Sequence, residues 1–346
     1  LGIARERWLQ AARELRPRVA QTRDRAELEQ LIHELVQRRP ALRAESSGRD
    51  GVSSAHPLAT EAGLEIMRKG GNVVDAAVAV SFALGVVEPD ASGVGGYGQM
   101  VIHMNGMDQP VLIDFMTRVP EEAGLDNTAL ADPNLPRPAL TNVPGTVDGM
   151  WRAWQRYGSK KVVWADLIAP AIRLAEQGFV LDAAFPTTLR LEQDEYHKYE
   201  GARALFFRDG KPLAPGDTLR NTDLAWTLKE IAEGGSDAFY RGEIAKRMVT
   251  DLRARGNAIS LRDMSRYFAE WRDPVATTYR GHSIYSSAPP VSGGATLAAQ
   301  LNLLENARIG DVPARDAATA HAMIEAWRIA PRNRIADPAL WPVDIS

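Results

Sequence analysis

The sequence contains no cysteine, and this absence excludes several kinds of chemistry at once. A chain without thiols has no thiol nucleophile, no disulfide, no zinc ribbon and no iron–sulfur ligand set of its own. Basic and acidic residues nearly balance, with 41 Lys and Arg against 44 Asp and Glu and a formal net charge of −3. The sequence therefore indicates neither a nucleic-acid partner nor attraction to an anionic membrane.

No hydrophobic run in the sequence is long enough to cross a bilayer. The most apolar stretch lies between Val73 and Val87, and it contains Asp75. At ~1.5 Å per residue this stretch falls short of the roughly 30 Å hydrocarbon core. We therefore predict a buried helix here and no membrane span.

The sequence shows no signal peptide, and it begins with Leu1 instead of a methionine. We expect that residues upstream of Leu1 have been removed or left out, and loss of an export signal would account for this. A periplasmic or secreted location is the expectation, with the cytoplasm as the alternative.

Familiar catalytic and metal-binding motifs are missing as well. No serine lies in a G-x-S-x-G elbow, and no serine has a lysine three residues later. No two of the six histidines have the spacing of a zinc-binding helix. We therefore expect no metal site, and the histidines are interpreted as capping or packing residues.

The first 45 residues form a segment of their own. Apolar residues recur there at helical spacing, with arginines and glutamates between them. We predict a helical N-terminal extension over residues 1–45 that packs on the body of the protein, the alternative being an arm that binds a partner. The polar run from Glu45 to Asp50 is typical of a linker, and residues 46–346 form the main domain.

Helix and strand signals are dense after this linker. Pro57 suits the first turn of a helix that runs to Lys69 and is stopped by Gly70-Gly71, and Asn72 with Asp75 favours a capped start of the next helix. Asn105-Gly106 between two β-prone runs predicts a hairpin. The hairpin strands are expected at Met100–Met104 and Val111–Phe115, further helices at 148–157, 164–177, 224–233, 242–255 and 295–306, and a strand at 279–287.

Two glycine-rich motifs could lie at a binding site. Gly93–Gly98 satisfies G-x-G-x-x-G, but a helix is expected before it and a strand after it, which is the reverse of a dinucleotide site. The motif is therefore either a tight turn that leads into a core strand or backbone that passes close to a substrate pocket. Ser292-Gly293-Gly294, between a strand and a helix, is either a sharp corner or a nest of amides for an oxyanion, and the corner is favoured.

Ten segments, taken in order, resemble the gamma-glutamyltranspeptidase family. The resemblance runs from about residue 51 to about residue 340, and the ordered set is far more specific than any one motif. The segments are 52–63, 70–77, 85–89, 92–96, 143–147, 215–219, 237–242, 288–294, Glu325-Ala326 and Asp337-Pro338.

This resemblance implies a mixed α/β (α+β) fold of the N-terminal-nucleophile hydrolase type. The implied architecture is an αββα sandwich that a small subunit completes, with a helical region in the large subunit. A precursor of this family cleaves itself before a threonine, which then supplies the hydroxyl nucleophile and the α-amino base. The acyl-enzyme is passed to water or to an amine, so no separate cofactor is implied.

The resemblance also implies that the active site is shared between two chains. This chain corresponds to the large subunit, and its Leu1 cannot serve as the nucleophile. The catalytic threonine is expected on a small subunit from the same precursor. The backbone of Gly95 and Gly96 is expected to line the substrate pocket. The alternatives are a related amidase or acylase that acts on a non-glutamyl amide, and a non-catalytic scaffold with the same fold.

One position departs from the family pattern. The family has an arginine for the donor α-carboxylate two residues after an aspartate, and Asp114 to Pro120 reads D-F-M-T-R-V-P, which places Met116 there. Methionine has no N–H donor, and loss of one partner of a buried charge pair costs about 3–5 kcal/mol. Either Arg118 reaches the carboxylate from two residues later, which requires extended backbone, or the donor lacks that group. A solvated Arg118 without a role is the remaining interpretation.

Overall fold

The computed structural model describes residues 51–123, 137–306 and 317–336, which form a mixed α/β fold. The chain divides into two compact units. One comprises Ser46–Gln99 and Ile113–Glu270, and the other includes Met100–Leu112 and Trp271–Ser346. The predicted helical extension over residues 1–45 and the linker after it lie outside the described residues.

The first two helices begin where the sequence predicts. Helix α1 spans Pro57–Arg68, and the His56 Nδ1 atom accepts a 3.1 Å hydrogen bond from the amide of Leu58. Helix α2 spans Val73–Val87 and begins with a capping box. Asn72 accepts from the amide of Asp75, and the Asp75 carboxylate accepts from the amide of Asn72 at 2.9 Å. Since α2 is apolar on most of its circumference, it packs against helices on several sides.

Three further helices build the core of this unit. They are α3 (Thr146–Tyr157), α4 (Trp164–Gln177) and α8 (Thr222–Tyr240). The Trp164 indole donates a 2.8 Å hydrogen bond to the carbonyl of Ile231, which joins α4 to α8. Helix α8 runs past its predicted end and kinks at Gly235 (φ 63°), where a Cβ would lie 2.8 Å from the ring of Trp151. Glycine is the residue that tolerates both the positive φ and the contact.

The predicted hairpin is present, with one correction. Strands β1 (Gly98–Ile102) and β2 (Val111–Phe115) are neighbours in a three-stranded sheet of order β1-β2-β7, where β7 is Glu270–Arg272. Gly106 has a φ of 86°, as the predicted turn requires. The first strand was expected at Met100–Met104, but it begins and ends two residues earlier. Sequence alone could not place it, because hydrogen bonding to β2 decides where a strand stops.

The remaining elements of this unit are short. The two-residue strands pair as β3 with β6 and β4 with β5, both antiparallel. In chain order these elements are β3 (Phe179–Val180), α5 (Ala184–Leu191), α6 (Gln193–Tyr196), α7 (Glu200–Phe206), β4 (Phe207–Arg208), β5 (Lys211–Pro212), β6 (Thr218–Leu219), α9 (Glu243–Ala254) and α10 (Leu261–Arg266).

The second unit contains a hairpin that the sequence did not reveal. Strands β8 (Val275–Tyr279) and β9 (His282–Ser286) pair antiparallel. The strand predicted over 279–287 is therefore present as β9 but starts three residues later, and its partner β8 was not predicted. The chain reverses at Arg280-Gly281, where both residues have positive φ. Arginine is uncommon in that conformation, and its presence concealed the turn.

Two helices complete the described part of the second unit. Helix α11 (Ser292–Asn306) contacts both strands of the hairpin, and α12 (Ala317–Ala336) contacts α11. A Cβ at Gly294 would lie 2.0 Å from the carbonyl oxygen of Ser287, and the Gly294 amide donates to the Ser287 hydroxyl at 2.8 Å. This close approach supports the corner interpretation of Ser292-Gly293-Gly294.

Candidate functional site

The glycine-rich turn after α2 docks on the start of α3. The carbonyl of Gly96 accepts hydrogen bonds from the amides of Gly145 and Thr146, at 2.8 and 3.1 Å. The amide of Gly96 donates to the carbonyl of Gly93, where an added Cβ at Gly96 would lie 2.9 Å away. A Cβ at Gly95 would meet no atom within 4 Å. The turn follows a helix and precedes a strand, so the geometry of a dinucleotide site is not formed here.

Three glycines make room for the ring and backbone of Phe115 at the end of β2. A Cβ at Gly145 would lie 1.9 Å from the Phe115 carbonyl oxygen, and one at Gly149 would lie 2.4 Å from its ring. Gly98 faces the same ring at 3.0 Å. This packing fixes the direction of the chain at the end of β2. Met116 is the first residue after the strand.

The backbone from Met116 to Arg118 is held on both sides. The hydroxyl of Tyr267 donates a 2.9 Å hydrogen bond to the Met116 carbonyl. Arg118 forms an antiparallel bridge with Val143, through N–H···O bonds of 3.2 and 2.9 Å. The bridge involves Arg118 alone, because β2 ends at Phe115 and the Met116 amide instead donates a 3.0 Å hydrogen bond to the Asp114 carboxylate. Extended pairing is therefore seen at Arg118 and not at Met116 or Thr117.

The Arg118 side chain lies on the segment Tyr267–Glu270. Its Nη2 atom donates to Glu270 Oε1 at 2.5 Å and to the Phe268 carbonyl at 3.4 Å. The guanidinium carbon lies 4.3 Å from the centre of the Phe268 ring, within the range of a cation–π contact. Both members of the ion pair remain accessible, with 42% of the Arg118 side chain and 52% of the Glu270 side chain exposed. As whole residues, Met116 and Arg118 are both half-buried.

A buried carboxylate anchors this segment. Asp148, in the first turn of α3, accepts hydrogen bonds of 2.7 Å from the Ala269 amide, 2.7 Å from Arg152 Nε and 2.8 Å from the Ser236 hydroxyl. Only the Arg152 side chain of this group reaches solvent to a substantial extent. Asp148 therefore ties α3 and α8 to the strand that carries Glu270.

Two stacked tyrosines support the same segment. The rings of Tyr240 and Tyr267 lie parallel with centroids 5.2 Å apart, and the Tyr240 hydroxyl donates to the Pro144 carbonyl at 2.8 Å. Burial raises the pKa of both phenols above their ordinary value, and the Asp148 charge adds to the rise in the pKa of Tyr267. Both tyrosines are therefore neutral hydrogen-bond donors at physiological pH.

Sequence reasoning missed Glu270, Phe268 and Asp148. Asp148 directly follows the segment 143–147 that resembles the family, and the sequence predicts it only as the first residue of the helix over 148–157. Glu270 carries no local signal at all. Within the described ranges, no group of three or more His, Asp or Glu side chains is placed to hold a metal ion. In the same residues, no helix combines the length and apolar character needed to cross a bilayer.

Comparison with known proteins gives a consistent result. The family model described as gamma-glutamyltranspeptidase matches residues 59–346. The chain is 36% identical over 276 residues to the glutathione hydrolase proenzyme of Bacillus subtilis (strain 168), covering 78% of this chain and 46% of that protein. It is 38% identical over 264 residues to the glutathione hydrolase proenzyme of Escherichia coli (strain K12), covering 74% and 45%. The chain thus spans about half the length of the curated relatives it matches.

A solved structure extends this likeness to three dimensions. The crystal structure of Helicobacter pylori gamma-glutamyltranspeptidase superposes with a TM-score of 0.79 at 34% identity, covering 85% of each chain. Both the glycine-rich turn and Arg118 lie within the residues that the family model matches.

Proposed function

The chain belongs to the gamma-glutamyltranspeptidase family, and from this premise we propose that it is the large-subunit part of an autoprocessed enzyme that cleaves γ-glutamyl amide bonds, as in glutathione. The acyl group is transferred to water or to an amine. The proposal is supported by a contact between two segments that resemble the family and lie far apart in the sequence. The carbonyl of Gly96 accepts hydrogen bonds from the amides of Gly145 and Thr146.

The proposed nucleophile is a threonine at the start of a second chain. Its hydroxyl attacks the amide carbon, and its own α-amino group takes the proton, so neither a metal nor a cofactor is needed. The small subunit from the same precursor is therefore the proposed partner. The matched curated relatives are named as proenzymes and are about twice as long as the matched region, which agrees with a precursor of two parts.

Arg118 is the proposed donor-binding residue of this chain. Its bridge to Val143 and its accessible guanidinium support a contact with the donor α-carboxylate, whereas the Met116 side chain offers no donor. The backbone of Gly95 and Gly96 is the proposed pocket wall, since Gly95 faces open space in the described part of the chain. A glutaryl-type acylase is the second candidate function, and the loss of arginine at position 116 is the observation that favours it.

Export is part of the proposal and rests on the periplasmic or secreted location common in this family. The near-balanced charge gives no support to a nucleic-acid partner. Fractionation of the producing cell tests the location directly: activity recovered in the cytosolic fraction alone would refute it.

The decisive experiment uses the complete gene product, purified and analysed by intact-mass spectrometry. We expect two chains, the smaller beginning with threonine, and release of p-nitroaniline from γ-glutamyl-p-nitroanilide. Substitution of that threonine by alanine should leave one uncleaved chain without turnover. A single chain in the wild-type preparation, with no turnover, would instead indicate a scaffold.

A further inference from the structure

We propose that the loop of the first hairpin holds a binding site for Cu(I), formed by the side chains of His103, Met104 and Met107. The loop joins the end of β1 to the start of β2, whereas the glycine-rich turn and Met116 adjoin the other ends of these strands. The site is therefore separate from the proposed acyl transfer and does not depend on it.

Methionine is concentrated in this part of the sequence. Three of the nine methionines lie within eight residues, at Met100, Met104 and Met107, and His103 lies among them. Thioether sulfur is a soft ligand that favours Cu(I), and imidazole binds copper as well. Histidine spacing alone predicts no metal site, but thioether ligands form a different class of site.

The imidazole of His103 is oriented by its own hydrogen bond. Its Nε2 atom lies 3.0 Å from the carbonyl oxygen of Met107. A carbonyl oxygen only accepts, so Nε2 carries the proton and Nδ1 keeps its lone pair. Nδ1 has no hydrogen-bond partner among the described residues, and His103 is exposed. Histidines that bind a metal commonly donate their other ring N–H to a carbonyl or carboxylate in this way.

The thioether of Met107 is held in place as well. Its Sδ atom accepts a hydrogen bond of 3.3 Å from the amide of Met104. A thioether sulfur has two lone pairs, so one remains for a metal ion. The Met107 amide donates to the Met104 carbonyl at 3.1 Å, which closes a turn through Asn105-Gly106. The φ of 86° at Gly106 permits this turn.

The three side chains can therefore meet on one ion. Met107 contacts His103 through its carbonyl and Met104 through its sulfur, so the nitrogen ligand and both sulfur ligands belong to a single turn. The far end of the loop is also anchored, because the Tyr285 hydroxyl donates to Gln109 Oε1 at 2.6 Å. Ligands that are already oriented lose little freedom when the ion binds.

The complete gene product, purified without a histidine tag, tests the site with Ag(I), an air-stable substitute for Cu(I). Methionine methyl groups labelled with ¹³C report binding by NMR. We expect Ag(I) to shift two methyl signals, and these are the signals that disappear in Met104→Leu and in Met107→Leu. Leucine nearly conserves the volume of methionine, and the remaining methionine signals show that each variant is folded.

The affinity for Cu(I) itself is measured without oxygen, by competition with bathocuproine disulfonate. Met107→Leu and His103→Asn should each weaken binding by at least about 10-fold, because loss of a hydrogen-bond partner behind a metal ligand already costs about 10- to 100-fold. Met323→Leu is the matched control, since Met323 is an exposed methionine on α12, and it should leave the affinity unchanged.

Three results would overturn the inference. They are Met104 and Met107 methyl signals that Ag(I) does not shift, a Cu(I) affinity of Met107→Leu equal to that of wild type, and equal weakening by Met323→Leu, which would indicate adventitious binding to any exposed thioether. Turnover of γ-glutamyl-p-nitroanilide should be the same in Met107→Leu and wild type. Because the metal measurements need no turnover, failure of the proposed function would leave this test intact.

Discussion

The amide of Ala269 donates a 2.7 Å hydrogen bond to the buried carboxylate of Asp148, and this contact fixes the strand on which Phe268 and Glu270 meet Arg118. The two residues are 121 positions apart in the sequence. Their contact joins the first turn of α3 to the edge of β7. The stability of the fold and the geometry of the candidate site thus depend on the same carboxylate.

Asp148→Asn should destabilise the protein. The amide side chain keeps the shape but loses the charge that binds Arg152, and its NH₂ group faces N–H and O–H donors. We expect a loss of about 1–3 kcal/mol in the free energy of unfolding, measured by urea denaturation. Ser236→Ala, which removes one neutral donor, should cost less, about 1 kcal/mol. An Asn variant as stable as wild type would contradict the role given to Asp148.

Gly145→Ala should be among the most damaging single substitutions in this unit. The new Cβ would lie 1.9 Å from the Phe115 carbonyl oxygen and 2.3 Å from the Tyr267 hydroxyl. Neither the Phe115 backbone nor the stacked Tyr267 ring can move away without a large cost in free energy. We expect a loss above about 3 kcal/mol or insoluble protein, measured by thermal unfolding and yield.

Gly95→Ala is the matched comparison, because its Cβ would meet open space in the described residues and its φ is not positive. Its stability should stay within about 0.5 kcal/mol of wild type. If the Gly95 backbone borders the donor pocket as proposed, kcat/KM should nevertheless fall. Wild-type kinetics in this variant would remove Gly95 from the pocket wall.

Arg118→Ala should weaken use of γ-glutamyl-p-nitroanilide. Loss of a charge-assisted contact to the donor carboxylate is expected to lower kcat/KM by about 10- to 100-fold, mostly through KM. Arg266→Ala removes an arginine that is somewhat more exposed than Arg118 and is paired with Glu121 at 2.6 Å, and it should leave kcat/KM unchanged. Efficient turnover that persists in Arg118→Ala would refute both explanations offered for Met116.

Acid should weaken the fold through His56. Burial lowers the pKa of this imidazole below its ordinary 6.5, and the charge of Asp182 opposes the shift only in part. The unfolded chain therefore binds a proton at a higher pH than the folded one does, so stability falls as the pH drops through about 6.5 and stops falling below the folded pKa. Protonation of Nδ1 would also remove the acceptor that caps α1.

His56→Asn tests this assignment, since asparagine can still cap the helix but does not titrate. The free energy of unfolding, measured from pH 8 to pH 5, should lose part of its pH dependence in the variant. The same slope in both proteins would show that another group is responsible.

Local signals in the sequence determined the elements that depend on nearby residues. Pro57, Asn72 and Asp75 act within one helical turn, so α1 and α2 start where the sequence places them. The ordered family-like segments likewise identify the family from the sequence alone. Arg118, Met116, Gly95 and Gly96 were singled out in the same way, and their roles remain predictions.

Only the tertiary structure decided what these residues contact. Arg118 and Glu270 are separated by 152 positions, and no spacing rule brings them to 2.5 Å. Nothing in the sequence near Gly145 indicates that the Phe115 carbonyl packs against it. The hairpin turn at Arg280-Gly281 could not be predicted either, because arginine seldom adopts a positive φ. Capping and turn preferences are short-range and can be read from neighbours, whereas ion pairs and close backbone approaches depend on how distant segments pack.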